Sequence, residues 1–187
     1  MTITAVDSKT ALIIIDLQKG ILSNPLVHPT ADIVQNASAL AEAFRRNDLP
    51  VVLVHVAGVA PGRTEQALSH GQRPADWTDL SPHLNQQPHD HGVEKRTWGA
   101  FTNTDLEGYL RGLGVSQVVI AGIATSIGVE STARHAYELG FNVTLAIDAM
   151  TDRTAAAHTH SVNHVFPRLG ETGTTQEIID FLATRLA

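Results

Sequence analysis

The chain has 187 residues, of which 43% are hydrophobic and 5% aromatic, a composition typical of one globular domain with a sizeable core. Its formal net charge is −6 at pH 7 and it has no long Lys/Arg run, which argues against nucleic acid as a partner. It contains no cysteine, so disulfides, thiolate metal sites and thiol catalysis are excluded. We therefore expect a single domain over residues 1–187.

The first apolar run, ALIII at 11–15, is followed by Asp16 and lacks the basic flank and small-residue cleavage site of a secretory leader. It is also too short to span a membrane. We expect a cytoplasmic protein with no membrane partner.

The first half of the chain contains two strand-like runs, one helical pattern and one irregular segment. In chain order these are a strand at 11–16, a helix at 30–47 capped by Thr30, a strand at 50–56 and the irregular segment 58–92. The strands are nearly continuously apolar and rich in Val and Ile, as expected of strands buried on both faces of a parallel sheet. Irregular segments this long are usually lids or binding loops, and the alternative is a contact with a second subunit.

The second half continues the alternation of helix and strand. In chain order it has a helix at 103–113, a strand at 116–123, a helix after Gly128 that ends at Gly140, a strand at 142–149, a helix from near Thr154 and a last helix with a Thr174/Glu177 capping box. This pattern predicts an α/β fold: a three-layer, doubly wound, mostly parallel sheet with helices on both faces.

Three features converge on the carboxyl ends of the strands, where ligands bind in open parallel sheets. Asp16 ends the first strand, Lys95 follows the irregular segment, and the turn GIATSIG places Gly128 at a helix start, where backbone N–H groups can face a ligand. Each has a structural alternative: an Asp that caps a turn, a solvated lysine and a tight connection.

The segments IIIDLQ, KRTWGAFTNTDL and VVIAGIATSIGVESTARHAYELGFNVTLAIDAMTD resemble the isochorismatase-like hydrolase superfamily, which includes nicotinamidases, carbamoylsarcosine amidohydrolases and isochorismatases. The resemblance implies that Asp16 and Lys95 are catalytic and that Gly128 stands where the amide-cleaving members have a cysteine nucleophile. It also implies a cis peptide between Ile123 and Ala124, with the Ala124 and Gly128 N–H groups as an oxyanion hole.

Glycine at position 128 rules out the thioester chemistry of the amidases. Isochorismatases resemble this chain there, and their reaction, the release of pyruvate from a vinyl ether, needs an acid rather than a nucleophile. In that interpretation Asp16 is the general acid and Gly128 leaves room for substrate. The residues ATS at 124–126 are more similar to the amidase group, which leaves the substrate open. The alternative is a catalytically silent ligand-binding or scaffolding homologue.

The substrate-binding candidates are Ala124, Thr125, Trp98 and Gln18, and core packing is the alternative for Trp98. The histidines at 89, 91, 160 and 164 are interpreted as solvated, and we expect no metal and no cofactor. The expected partner is a small-molecule substrate, and the resemblance implies a homodimer or homotetramer.

Overall fold

The computed structural model describes residues 3–65 and 73–184. Six strands form one parallel sheet in the order β3-β2-β1-β4-β5-β6. The strands are β1 (Thr10–Ile15), β2 (Val51–Val56), β3 (His91–Lys95), β4 (Gln117–Ile123), β5 (Asn142–Thr151) and β6 (Glu171–Gly173). The strand order reverses between β1 and β4, so the crevice outside their carboxyl ends is the expected ligand position. The predicted α/β doubly wound fold is confirmed.

Helices cover both faces of this sheet. They are α1 (Lys19–Leu22), α2 (Thr30–Arg46), α3 (Leu106–Gly112), α4 (Glu130–Glu138), α5 (Ala155–His160) and α6 (Thr175–Ala183). Alternate residues of β1 point into two separate cores: Ile13 and Ile15 pack with α3 and α4, whereas Leu12 and Ile14 pack with α2 and α6. Both faces of the central strand are therefore buried, which explains its continuous apolar run. No helix in the described ranges is long and apolar enough to cross a membrane.

The four predicted strands are confirmed to within two residues at each end, whereas β3 and β6 were not predicted. The residues of β3, HGVEK, alternate between exposed and buried because this strand lies at the sheet edge. Strand β6 has only three residues. The Thr174/Glu177 capping box is present. The predicted Thr30 cap is wrong: Pro29 is the N-cap residue of α2, and it provides no side-chain hydrogen bond.

Residues 77–81 of the segment predicted to be irregular pack against the chain that follows β1. Leu80 forms a β-bridge with Gln18, and the backbone N–H of Ser81 donates to the carbonyl of Leu17 over 2.8 Å. The lack of a side chain at Gly20 is required here, because a Cβ atom would lie 2.1 Å from the Trp77 ring. Residues 77–81 thus lie next to the carboxyl end of β1. Residues 66–72 of the segment lie outside the described ranges.

Candidate active site

Asp16 follows β1 directly and directs its carboxyl group into the protein. Its backbone adopts φ +52°, a left-handed conformation that aspartate tolerates better than most residues. Its N–H donates to the carbonyl of Val54 over 2.9 Å, which fixes the residue to the end of β2. Only 5% of the residue is exposed, so its carboxyl group is largely removed from water.

Lys95 ends β3 and reaches across the end of β2 to Asp16. The residue is 2% exposed, and its Nζ lies 2.8 Å from Oδ2 of Asp16. The same Nζ donates to the carbonyl oxygens of Trp98 over 2.8 Å and of Thr97 over 3.4 Å. These three acceptors match the three protons of an ammonium group, which leaves none for a substrate carboxylate. Of these three acceptors, the Asp16 carboxyl group is the one that carries a charge when it is ionised.

Burial and the neighbouring ammonium act on Asp16 in opposite directions. Burial raises the pKa of Asp16 to about 6, although the charge of Lys95 and its hydrogen bond lower it. Because the pKa of Asp16 stays above its usual value, the effect of burial outweighs that of the ammonium. Within the described residues, Oδ1 of Asp16 is buried and has no hydrogen-bond partner. Asp16 thus carries one oxygen fixed by Lys95 and one buried oxygen without a partner in the described residues.

Gly128 lies beside this carboxyl group. The peptide bond between Ile123 and Ala124 is cis, as the resemblance implies, and the turn Thr125–Val129 follows it. A Cβ atom on Gly128 would lie 3.4 Å from Oδ2 of Asp16 and 2.9 Å from the Cγ2 methyl of Ile15. Position 128 therefore points at Asp16, and any side chain there would displace Ile15. The oxyanion hole of Ala124 and Gly128 stays a prediction.

His158 and Asp152 hold this turn through hydrogen bonds, and neither contact was predicted from the sequence. Oγ1 of Thr125 lies 2.9 Å from Nδ1 of His158 in α5, so this hydroxyl is occupied within the protein. The N–H of Ser126 donates to Oδ2 of Asp152 over 2.7 Å. Burial lowers the pKa of His158, and the neighbouring His28 lowers it further, while Asp152 opposes them. Asp152 directly follows β5. Because functional residues of open parallel sheets lie at the carboxyl ends of the strands, it could have been identified from the sequence.

Gln18 and Trp98, two of the residues predicted to contact substrate, both make contacts within the protein. Gln18 is fully buried; its Oε1 accepts from the N–H of Val56, and its Nε2 donates to the carbonyls of Val56 and Trp77. Both amide protons are therefore used to hold residue 77 against β2. The Trp98 residue is 64% exposed, so the core-packing alternative is wrong, and its carbonyl holds Lys95.

The histidines that the sequence analysis considered for metal binding do not come together in one cluster. The His160 and His164 rings are 5.4 Å apart, and the His91 ring stacks on Tyr109 with the centroids 3.8 Å apart. The description of His91 as solvated is therefore wrong, because it packs on α3. In residues 3–65 and 73–184, no group of three or more His, Cys, Asp or Glu residues is placed to hold a metal ion.

The structure combines a parallel sheet, a buried pair of Asp16 and Lys95 at its carboxyl end and a cis peptide bond at the end of β4. These features together define the class of α/β protein that the resemblance implied. Residues 10–177 match the Isochorismatase domain, and the chain belongs to the isochorismatase family of hydrolases.

Two curated relatives match the chain over most of their length. YwoC of Bacillus subtilis (strain 168) is 40% identical over 179 residues, covering 92% of this chain and 93% of the relative. YecD of Escherichia coli O157:H7 is 42% identical over 180 residues, covering 92% and 96%. A solved structure of an isochorismatase family protein from Burkholderia thailandensis superimposes with a TM-score of 0.93 at 39% identity, covering 97% of this chain and 100% of that one.

Proposed function

We propose that this family member hydrolyses a small molecule with Asp16 as the general acid, and that its substrate is an enolpyruvyl vinyl ether such as isochorismate, which releases pyruvate. One observation carries the proposal: a buried carboxyl group with a pKa of about 6 and one oxygen without a hydrogen-bond partner in the described residues. General acids work best when their pKa lies near the working pH.

The reaction begins with a proton on Oδ1 of Asp16. The π electrons of the vinyl ether take this proton at the methylene carbon, which forms a C–H bond and leaves an oxocarbenium ion stabilised by the ether oxygen. Water then adds to the cationic carbon and returns one proton to the Asp16 carboxylate. The resulting hemiketal collapses to pyruvate and an alcohol, so one water is consumed and the acid is regenerated.

Lys95 supports the acid without touching the substrate in this mechanism. When Asp16 gives up its proton, a buried carboxylate forms, and the ammonium 2.8 Å from Oδ2 stabilises it. Without that charge, burial would raise the pKa of Asp16 further and make it a weaker acid. The carbonyls of Thr97 and Trp98 keep the ammonium in place between turnovers.

The absence of a side chain at Gly128 fits acid catalysis. A residue such as cysteine would place its Cβ atom 3.4 Å from Oδ2 of Asp16 and 2.9 Å from the Cγ2 methyl of Ile15. Glycine keeps this position free of a side chain, and Ile15 packs beside it. Catalysis by protonation needs no nucleophile on the enzyme, so the lack of cysteine is no obstacle to turnover.

Incubating the protein with isochorismate tests the proposal, with pyruvate followed by a coupled dehydrogenase. We expect rapid pyruvate release by the unchanged protein and a loss of at least about 100-fold in Asp16→Asn, because general acids typically contribute that much or more. Asp32→Asn, an exposed position in the first turn of α2, serves as a matched control and should retain the rate. Absence of pyruvate above the uncatalysed rate, or full activity in Asp16→Asn, would overturn the proposal. Isochorismate binding without turnover would favour the ligand-binding alternative.

A further inference from the structure

Thr132, on the first turn of α4, joins two segments of the candidate site through a single buried hydroxyl. The residue is fully buried. Its Oγ1 donates to the carbonyl of Gly128 over 2.7 Å and accepts from the N–H of Ala100 over 3.1 Å. A threonine hydroxyl in a helix commonly bonds the carbonyl four residues earlier. The bond from the N–H of Ala100, which lies 32 residues away in sequence, is not explained by this helical preference.

The two joined segments hold the two halves of the site. The segment ending at Ala100 contains Thr97 and Trp98, whose carbonyls hold the ammonium of Lys95. The other segment is the turn that carries Gly128. They meet closely, because a Cβ atom on Gly99 would lie 3.4 Å from the carbonyl oxygen of Ser131. A change at this junction would therefore be transmitted to both.

We propose that Thr132 is a positioning residue that fixes the Lys95 ammonium relative to Asp16 and the Gly128 turn. Its hydroxyl satisfies the N–H of Ala100 in a site that excludes water, so removing the hydroxyl leaves that N–H without its acceptor. The segment 97–100 then shifts to find another acceptor, and the two carbonyls that hold Nζ shift with it. The ammonium moves away from Oδ2 of Asp16 and stabilises the carboxylate less well.

The consequence can be measured without substrate. Because Lys95 lowers the pKa of Asp16, weakening its hold raises that pKa. Valine has nearly the shape of threonine but no hydroxyl, whereas serine keeps the hydroxyl and loses only the methyl group. Thr132→Val should therefore raise the pKa of Asp16, whereas Thr132→Ser should leave it at the value of the unchanged protein. Thr144 provides a matched control, because it is equally buried on β5 and its hydroxyl accepts from Nε2 of Gln117, away from Lys95.

The experiment is a carboxyl ¹³C NMR titration of the ligand-free protein, with the Asp16 signal assigned by its loss in Asp16→Asn. We expect the midpoint of Asp16 to rise by about 0.5 to 1 pH unit in Thr132→Val and to stay within error in Thr132→Ser and Thr144→Val. An unchanged midpoint in Thr132→Val, or an equal shift in Thr132→Ser, would overturn the proposal. Should Thr132→Val not fold, Thr132→Ala is titrated against the same serine variant, with the same two outcomes.

The activity assay separates this inference from the proposed function, on which its catalytic meaning rests. A shifted midpoint together with pyruvate release that falls in Thr132→Val and recovers in Thr132→Ser supports both. A shifted midpoint in a protein that releases no pyruvate retains the positioning role of Thr132 and rejects the proposed substrate.

Discussion

Replacing Lys95 with methionine gives the most quantitative test of how the buried pair works. Methionine keeps the length of the side chain and removes the charge. In the unchanged protein, burial holds the pKa of Asp16 at about 6 against the lowering effect of the ammonium 2.8 Å away. An opposite charge at this range typically lowers a carboxyl pKa by about one to three pH units. We therefore expect Lys95→Met to raise the pKa of Asp16 by that amount.

The same shift predicts how stability changes with pH. The pKa of Asp16 in the folded protein lies above the 3.8 of an ordinary aspartate, so the folded protein binds the proton more tightly than the unfolded chain does. The stability supplied by this group is present below the unfolded pKa and is lost as the pH rises through the folded pKa. The loss is about 3 kcal/mol in the unchanged protein, and Lys95→Met should add about 1 to 4 kcal/mol to it.

Urea unfolding at pH 5 and pH 9 measures this difference. We expect the destabilisation caused by Lys95→Met to be larger at pH 9, where Asp16 is an unpaired buried carboxylate, than at pH 5, where it is protonated. Lys19→Met is the matched control, because its ammonium is half-exposed and pairs with Asp76 and Asp79 at the surface. Equal destabilisation by Lys95→Met at both pH values would show that the ammonium does not control the pKa of Asp16.

Three further predictions concern the framework around the site. Arg45→Met should lower the free energy of unfolding by about 3 to 5 kcal/mol, because it leaves the buried carboxylate of Asp90 without its ion-pair partner. Arg46→Met removes an exposed ion pair within a helix and should change the free energy of unfolding little. Equal destabilisation of the two variants in urea titrations would contradict this. Thr174→Ala should lower the free energy of unfolding by about 1 kcal/mol through loss of the capping box with Glu177, and an unchanged urea midpoint would count against it. Light scattering should give two or four times the mass of one chain, and the mass of a single chain would reject the expected homodimer or homotetramer.

The central part of the fold follows directly from the sequence. Runs such as ALIII and VVIAGI are buried on both faces, an environment that is typical of strands inside a parallel sheet. Asp16 could be placed at the carboxyl edge of the sheet because it ends a predicted strand. Lys95 was expected near the same edge because it follows the irregular segment, although the strand that it ends was not predicted. The edge strands β3 and β6 escaped prediction because one is half-exposed and the other has three residues, too few for a periodic pattern.

The details that decide the chemistry depend on tertiary contacts. Nothing in the sequence shows that the amide of Gln18 is used up by Val56 and Trp77, since those partners lie 38 and 59 residues away. Two of the three hydrogen bonds of the Lys95 ammonium likewise depend on the backbone path of residues 97 and 98, whose carbonyls accept them. Thr132 looks like an ordinary helical threonine until the N–H of Ala100 is seen to donate to it.

Running the isochorismate reaction in D₂O follows the proton that Asp16 is proposed to donate. If Asp16 delivers its proton to the methylene carbon, the deuterated acid must place one deuteron in the methyl group of the product, and ¹H NMR should show pyruvate as CH₂D from the first turnovers. Asp16→Asn should form no such product above the uncatalysed rate. Pyruvate that first appears with an unlabelled methyl group, or equal CH₂D formation in Asp16→Asn, would contradict the account.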